Sequence, residues 1–136
     1  MSTKKSLSNV VVALSLILTI GYFSSCSKGA VVDKLIEKVA METNKQCPMA
    51  INSETRLDSV THPAQQTLAY FYTLLSIEKD SMSFEPEVLE ESLAQAIRDN
   101  KELEALRKLN VFFRYVYFDK NSEFALRIEV TPEMYN

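Results

Sequence analysis

Two cysteines and a single histidine leave this chain few residues able to do chemistry. Cys47 and His62 are the one pair in which an imidazole could activate a thiol, the arrangement a cysteine nucleophile needs beside its general base. They stand about 15 residues apart, and His62 precedes Pro63 in turn material, so they also read as a small packed thiol and a solvated histidine. Glu85, Glu87, Glu90 and Glu91 offer carboxylates, and Glu87 and Glu91 share a helical face, as an acid pair for glycoside hydrolysis would require. Carboxylates at a helix start more simply complement the positive end of the helix dipole. Asp119-Lys120-Asn121-Ser122-Glu123 has the opening of a calcium loop without its glycine or its terminal bidentate glutamate, and reads as a polar turn. No histidine and cysteine spacing suits zinc, and with Gly21 and Gly29 the only glycines there is no phosphate-cradling loop. The expectation is a protein that is not an enzyme, binds no metal and needs no cofactor.

One cysteine has a clearer context. Lys4 and Lys5 precede an apolar run, and Val10 to Phe23 is 14 residues, short of the roughly 20 that a spanning helix needs. The run ends at Phe23-Ser24-Ser25-Cys26. This segment resembles the signal peptide and lipobox of bacterial lipoproteins, with Phe23 where the family usually has leucine. The resemblance implies that residues 1–25 are a cleaved signal peptide, that Cys26 carries a covalent diacylglycerol and an N-acyl lipid, and that 26–29 are a lipidated tether. Acyl chains contribute about 0.8 kcal/mol per buried CH₂, so two or three of them hold a small domain firmly. Ser27, where lipoproteins retained at the inner membrane mainly have aspartate, tilts the destination toward the outer membrane. The domain would lie in the periplasm or at the cell surface, at the cell membrane or outer membrane. The other readings of the segment are an ordinary secretory signal cut near Ser24 or Ser25 and an uncut anchor helix.

Removing residues 1–25 leaves 111, enough for one domain with a modest core. Lys4 and Lys5 leave with them, so 13 basic residues face 18 acidic ones, a net charge of about −5. That balance argues against nucleic acid and against binding to anionic lipid by the domain itself. Cys47 then has no intramolecular partner, so no disulfide supports the fold and the core must do so.

The elements that would carry these residues follow from periodicity. Val32, Leu35, Ile36, Val39 and Thr43 recur at helical spacing within Ala30–Thr43, and Asn44 to Pro48 ends that helix. Thr55–Thr61 and Gln66–Ile77 are rich in β-formers and flank the turn His62–Gln65, which predicts an antiparallel hairpin. A helix opens at Ser83-Phe84-Glu85-Pro86 with an oxygen-bearing cap and buries Leu89, Leu93, Ala96 and Ile97; Asn100 ends or bends it, and Lys101–Leu109 follows. Val111–Phe118, a turn at 119–122 and Glu123–Thr131 make a second hairpin, with Phe124, Leu126, Ile128 and Val130 on one face. The expected fold is α+β: an antiparallel four-stranded sheet of two hairpins with helices packed on one face, in the order α-β-β-α(α)-β-β, forming a single small domain over 30–136.

Asn44-Lys45 with Pro48, Thr55-Arg56-Leu57-Asp58, Tyr70-Phe71-Tyr72-Thr73-Leu74 and Tyr115 to Asn121 give the globular part a resemblance to small, uncharacterised lipoproteins of the bacterial envelope. Aromatic and arginine side chains favour interfaces, so the wetter face of the sheet is the expected partner surface, with Tyr70, Tyr72, Arg114 and Tyr115 or Tyr117. The expected function is that of a membrane-anchored envelope lipoprotein that binds another envelope protein or serves a structural role. The alternatives are a thiol-dependent factor using Cys47 with His62, and an inhibitor or exclusion-type lipoprotein.

Overall fold

Asn44 shows how the first helix is tied to the sheet. The computed structural model describes residues 28–83 and 85–136, so the expected signal peptide, Cys26 and Ser27 lie outside the described residues. Residues 33–136 form one compact unit. Helix α1 runs over 28–44, and from Asp33 on its stripe turns inward, with Ile36 and Ala40 buried and Leu35, Val39 and Thr43 half-buried. At its end the Asn44 carboxamide accepts from the Val60 N–H (2.7 Å) and donates to the Val60 carbonyl (2.6 Å), standing in for a strand neighbour.

The strands are β1 (Met49–Ala50), β2 (Thr55–Thr61), β3 (Thr67–Leu74), β4 (Phe112–Phe118) and β5 (Phe124–Val130), adjacent in chain order. The α+β class and the helix-bearing face stand as expected, but the sheet has five strands and is mixed. β1 is two residues long, too short to produce an alternation in the sequence. β3 and β4 are parallel, Thr67 opposite Phe112 through Thr73 opposite Phe118, whereas the other pairs are antiparallel. The reason is the connection over 75–111. It lays α2 (Pro86–Asp99) and α3 (Glu104–Lys108) on the sheet and returns the chain to the start of β3, as a crossover between parallel strands must. Two hairpins of a single antiparallel sheet are therefore replaced by two hairpins joined side by side in parallel.

Local chemistry sets the ends of these helices. α2 begins at Pro86 after Glu85, which makes no side-chain cap, and the expected cap at Ser83 is not used. It buries Ala94 and Ile97 and leaves Leu89 and Leu93 half-buried, while Ala96 of the expected stripe is exposed. Asn100 ends it, accepts the Glu102 N–H at 2.9 Å, and starts a short 3₁₀ turn before α3. Arg107 Nη1 donates to the carbonyls of Ile97 and Asn100, both at 2.6 Å, satisfying acceptors that the helix end leaves open. A final helix, α4 (Pro132–Tyr135), follows where Pro132 alone suggests a stop. Its Tyr135 is buried, donates to the Val111 carbonyl (2.8 Å) and meets Phe113 edge to face.

The helix-bearing face carries Leu57 and Val60 from β2, Leu68, Tyr70 and Tyr72 from β3, Phe113, Tyr115 and Tyr117 from β4, and Leu126, Ile128 and Val130 from β5. Phe124 is not among them. The pairing shifts between Tyr117 and Phe118, so Phe124 opposes Phe118 on the other face, packs against it edge to face and stays 57% exposed.

Candidate functional site

Alternation in β3 sends Tyr70 and Tyr72 to the same face, and alternation in β4 does the same for Tyr115 and Tyr117. The parallel register then sets Tyr70 beside Tyr115 and Tyr72 beside Tyr117. Their rings stack at centroid distances of 5.4 and 5.3 Å, and Tyr72 also lies 6.3 Å from Tyr115. With interplanar angles of 12° to 18°, the rings lie nearly parallel to one another.

These four tyrosines floor a groove in the helix layer. One hollow, of about 710 Å³, lies between α1, which contributes Leu35, Val39 and Thr43, and the 3₁₀ turn and α3, which contribute Leu103 and Leu106, over Tyr70, Tyr72 and Tyr115. The second, of about 800 Å³, lies over Tyr117 and Leu126, between Leu74 and Ile77 on one side and Val88 and Leu89 of α2 on the other. Tyr72 of the first hollow stacks on Tyr117 of the second. The break at Asn100 helps to create the opening, because a short turn stands there in place of a continuous helix. Glu42, Glu102 and Glu85 stand on the rim with Lys38 as a counter-charge.

Among the described residues the four hydroxyls have no hydrogen-bond partner, and no wholly buried polar side-chain atom there is left unpaired, so the hydroxyls open toward the groove. Burial pushes Tyr70 and Tyr117 up to about 12 and raises Tyr72 and Tyr115 as well. The phenols stay neutral at any physiological pH and present O–H donors. An apolar trough with a row of donors along its floor suits a peptide segment that is apolar on its flanks and carries acceptors toward the sheet.

The residues picked from sequence are thus divided. Tyr70, Tyr72 and Tyr115 come together with Tyr117, on the helix-bearing face and not on the open one. Arg114 lies on the opposite face, where its Nε donates to Glu129 at 2.7 Å. Leu126, Val88 and Ile77 also line the site; the alternation of β5 signals Leu126, whereas the other two need the fold. Cys47 and His62 are each held by other groups. The Cys47 thiol faces the Thr43 carbonyl at 3.5 Å, and burial, then nearby Asp58, pushes its pKa up, away from a reactive thiolate. His62 sets Nδ1 2.9 Å from the Thr67 carbonyl, which fixes the proton on that nitrogen, and turns Nε2 toward Asp33 at 3.4 Å. Glu85, Glu87 and Glu91 are exposed at the start of α2 and Glu90 is half-buried there, and the carboxylate of Asp119 is taken by backbone donors.

Three solved structures share this fold. A candidate secreted protein from Pseudomonas aeruginosa aligns with a TM-score of 0.69 at 18% identity, over 80% of this chain and 96% of its own. A type II secretion system pilotin from Vibrio cholerae aligns at 0.65 and 14% identity, over 82% and 98%. The pilotin of the Vibrio vulnificus type 2 secretion system aligns at 0.63 and 11% identity, over 81% and 96%. At these identities the likeness is one of fold. No curated protein matches the sequence significantly. Residues 30–126 match the family described as a domain of unknown function, DUF8479, and the chain belongs to that family.

Proposed function

We propose that this chain is a non-enzymatic, lipid-anchored accessory protein of the bacterial envelope, whose tyrosine-floored groove binds a segment of another envelope protein in a secretion apparatus. The groove carries this reading: two apolar hollows side by side over four stacked tyrosines whose hydroxyls make no bond among the described residues. The fold shared with two pilotins supports the setting. Among the described residues no helix is long and apolar enough to cross a membrane, so attachment falls to the segment before residue 28. Residues 1–25 act as a signal peptide, Cys26 takes the diacylglycerol and N-acyl lipid, 26–29 form the tether, and 30–136 the working domain. The Tyr70, Tyr72 and Tyr115 set belongs to the partner surface with Tyr117, and Arg114 does not.

The test is envelope crosslinking from a photoreactive residue at Val88 or Leu126, combined with Tyr72→Ala and Arg114→Ala. One partner should be captured from both groove positions, lost with Tyr72→Ala in a protein that still melts cooperatively, and retained with Arg114→Ala. Undiminished capture by folded Tyr72→Ala would remove the groove from the reading. Radiolabelled palmitate should enter the wild type and not Cys26→Ala; an unlabelled wild type defeats the anchor.

A further inference from the structure

The face of the sheet opposite the groove has its own chemistry. Arg56, Arg114 and Arg127 project there, against Asp58 and Glu129, so this face is net positive on a domain that is otherwise acidic. The glutamates gather on the other side, on α1, α2 and α3. Arg114 and Arg127 share the single carboxylate of Glu129, at 2.7 and 3.9 Å, which leaves guanidinium donors unspent. At one end of the face Phe112 is 39% exposed, and at the other Phe124 is 57% exposed. Between them run six residues of β4, about 20 Å at strand rise.

Against the expectation from the overall acidic balance, and because the charge is unevenly divided between the two sides of the sheet, we infer that this face rests on the anionic phospholipid surface of the membrane to which the chain is anchored, a step that builds on the proposed lipid attachment. A sheet face presents a broad, shallow surface where the groove presents a trough. Phenylalanine rings at both ends can enter the headgroup and acyl boundary, and arginines between and beside them can bond lipid phosphates bidentately. The net positive sign complements anionic lipid and disfavours the acidic helix layer there. Contact through this face turns the groove, on the opposite side of the sheet, toward the aqueous compartment where a protein partner can reach it.

The chain contains no tryptophan, so one can be introduced as a reporter. Full-length Phe124→Trp and, as a control on the groove side, Val88→Trp are mixed with vesicles of phosphatidylcholine and phosphatidylglycerol carrying acyl-brominated lipid. Quenching at 124 should exceed that at 88 several-fold. It should fall toward the control in phosphatidylcholine alone and in Arg114→Gln/Arg127→Gln. Equal quenching at the two positions, or stronger quenching at 88, overturns the inference. Flotation is scored separately for the full chain and Cys26→Ala. A chain that floats without quenching at 124 defeats the face and leaves the anchor standing. Selective quenching that persists in Cys26→Ala supports the face and shows that lipid on Cys26 is not the sole attachment.

Discussion

Asp119 is the most heavily committed carboxylate of the fold: Oδ1 accepts the N–H groups of Asn121 (2.8 Å) and Glu123 (2.9 Å), and Oδ2 that of Lys79 (3.1 Å). It therefore closes the β4–β5 turn and clamps it to the segment after β3, beside Ile77 of the groove wall. The Glu123 N–H, followed by those of Lys79 and Asn121, holds its pKa below the usual carboxylate range against the opposing effect of burial. A depressed value in the folded state means stability that is complete above the unfolded-state pKa of about 3.9 and is lost as pH falls through the folded value. Urea midpoints measured from neutral pH downward should fall below about pH 4, and Asp119→Asn should flatten that fall while lowering the midpoint at neutral pH, since an amide nitrogen cannot accept from Lys79. An unchanged pH profile would show that the clamp is not felt. Cys47 makes the opposite case: with its pKa raised by burial, it should alkylate with iodoacetamide at pH 8 more slowly than a free thiol, and Cys47→Ala should leave partner capture intact. Loss of capture would revive a thiol-dependent role.

At the scale of elements, the decisive joints are side chains that complete backbone hydrogen bonding. Asn44 is one, and Asn44→Ala leaves both the N–H and the carbonyl of Val60 unpaired, so a loss of about 1–3 kcal/mol is expected by denaturant titration. Asn44→Asp should recover only part of it, because a carboxylate accepts but does not donate. Tyr135→Phe removes one buried bond to Val111 and should cost about 1 kcal/mol by the same titration. β2 to β5, the 3₁₀ break at Asn100 and the stripe of α1 are all legible in the sequence, since each rests on local alternation, periodicity or capping. β1 is not, because two residues carry no period, and α4 is not, because Pro132 reads equally as a stop and as a first helical residue. The displacement of Phe124 also escapes local reading, since a shift in strand pairing reverses the face without changing the alternation.

For the whole molecule, the parallel joining of β3 to β4 is what makes the site. If the two hairpins were joined with any other neighbour, Tyr70 and Tyr72 would not meet Tyr115 and Tyr117, and the ladder would not exist. A disulfide trap across that pair, Ala69→Cys with Arg114→Cys, should therefore form under mild oxidation, detected as a mobility shift that reduction reverses; these positions are opposite in the parallel register, and failure to oxidise would count against it. The sequence by itself determined the α+β class, most element boundaries, the acidic balance and the aromatic character of β3 and β4, because these depend on neighbours a few residues apart. Only the tertiary structure decided that three of the chosen aromatics share a groove floor with Tyr117 while Arg114 serves the opposite face. That division depends on which strands become neighbours and in which direction, and contacts between residues some 45 apart leave no trace in a local pattern.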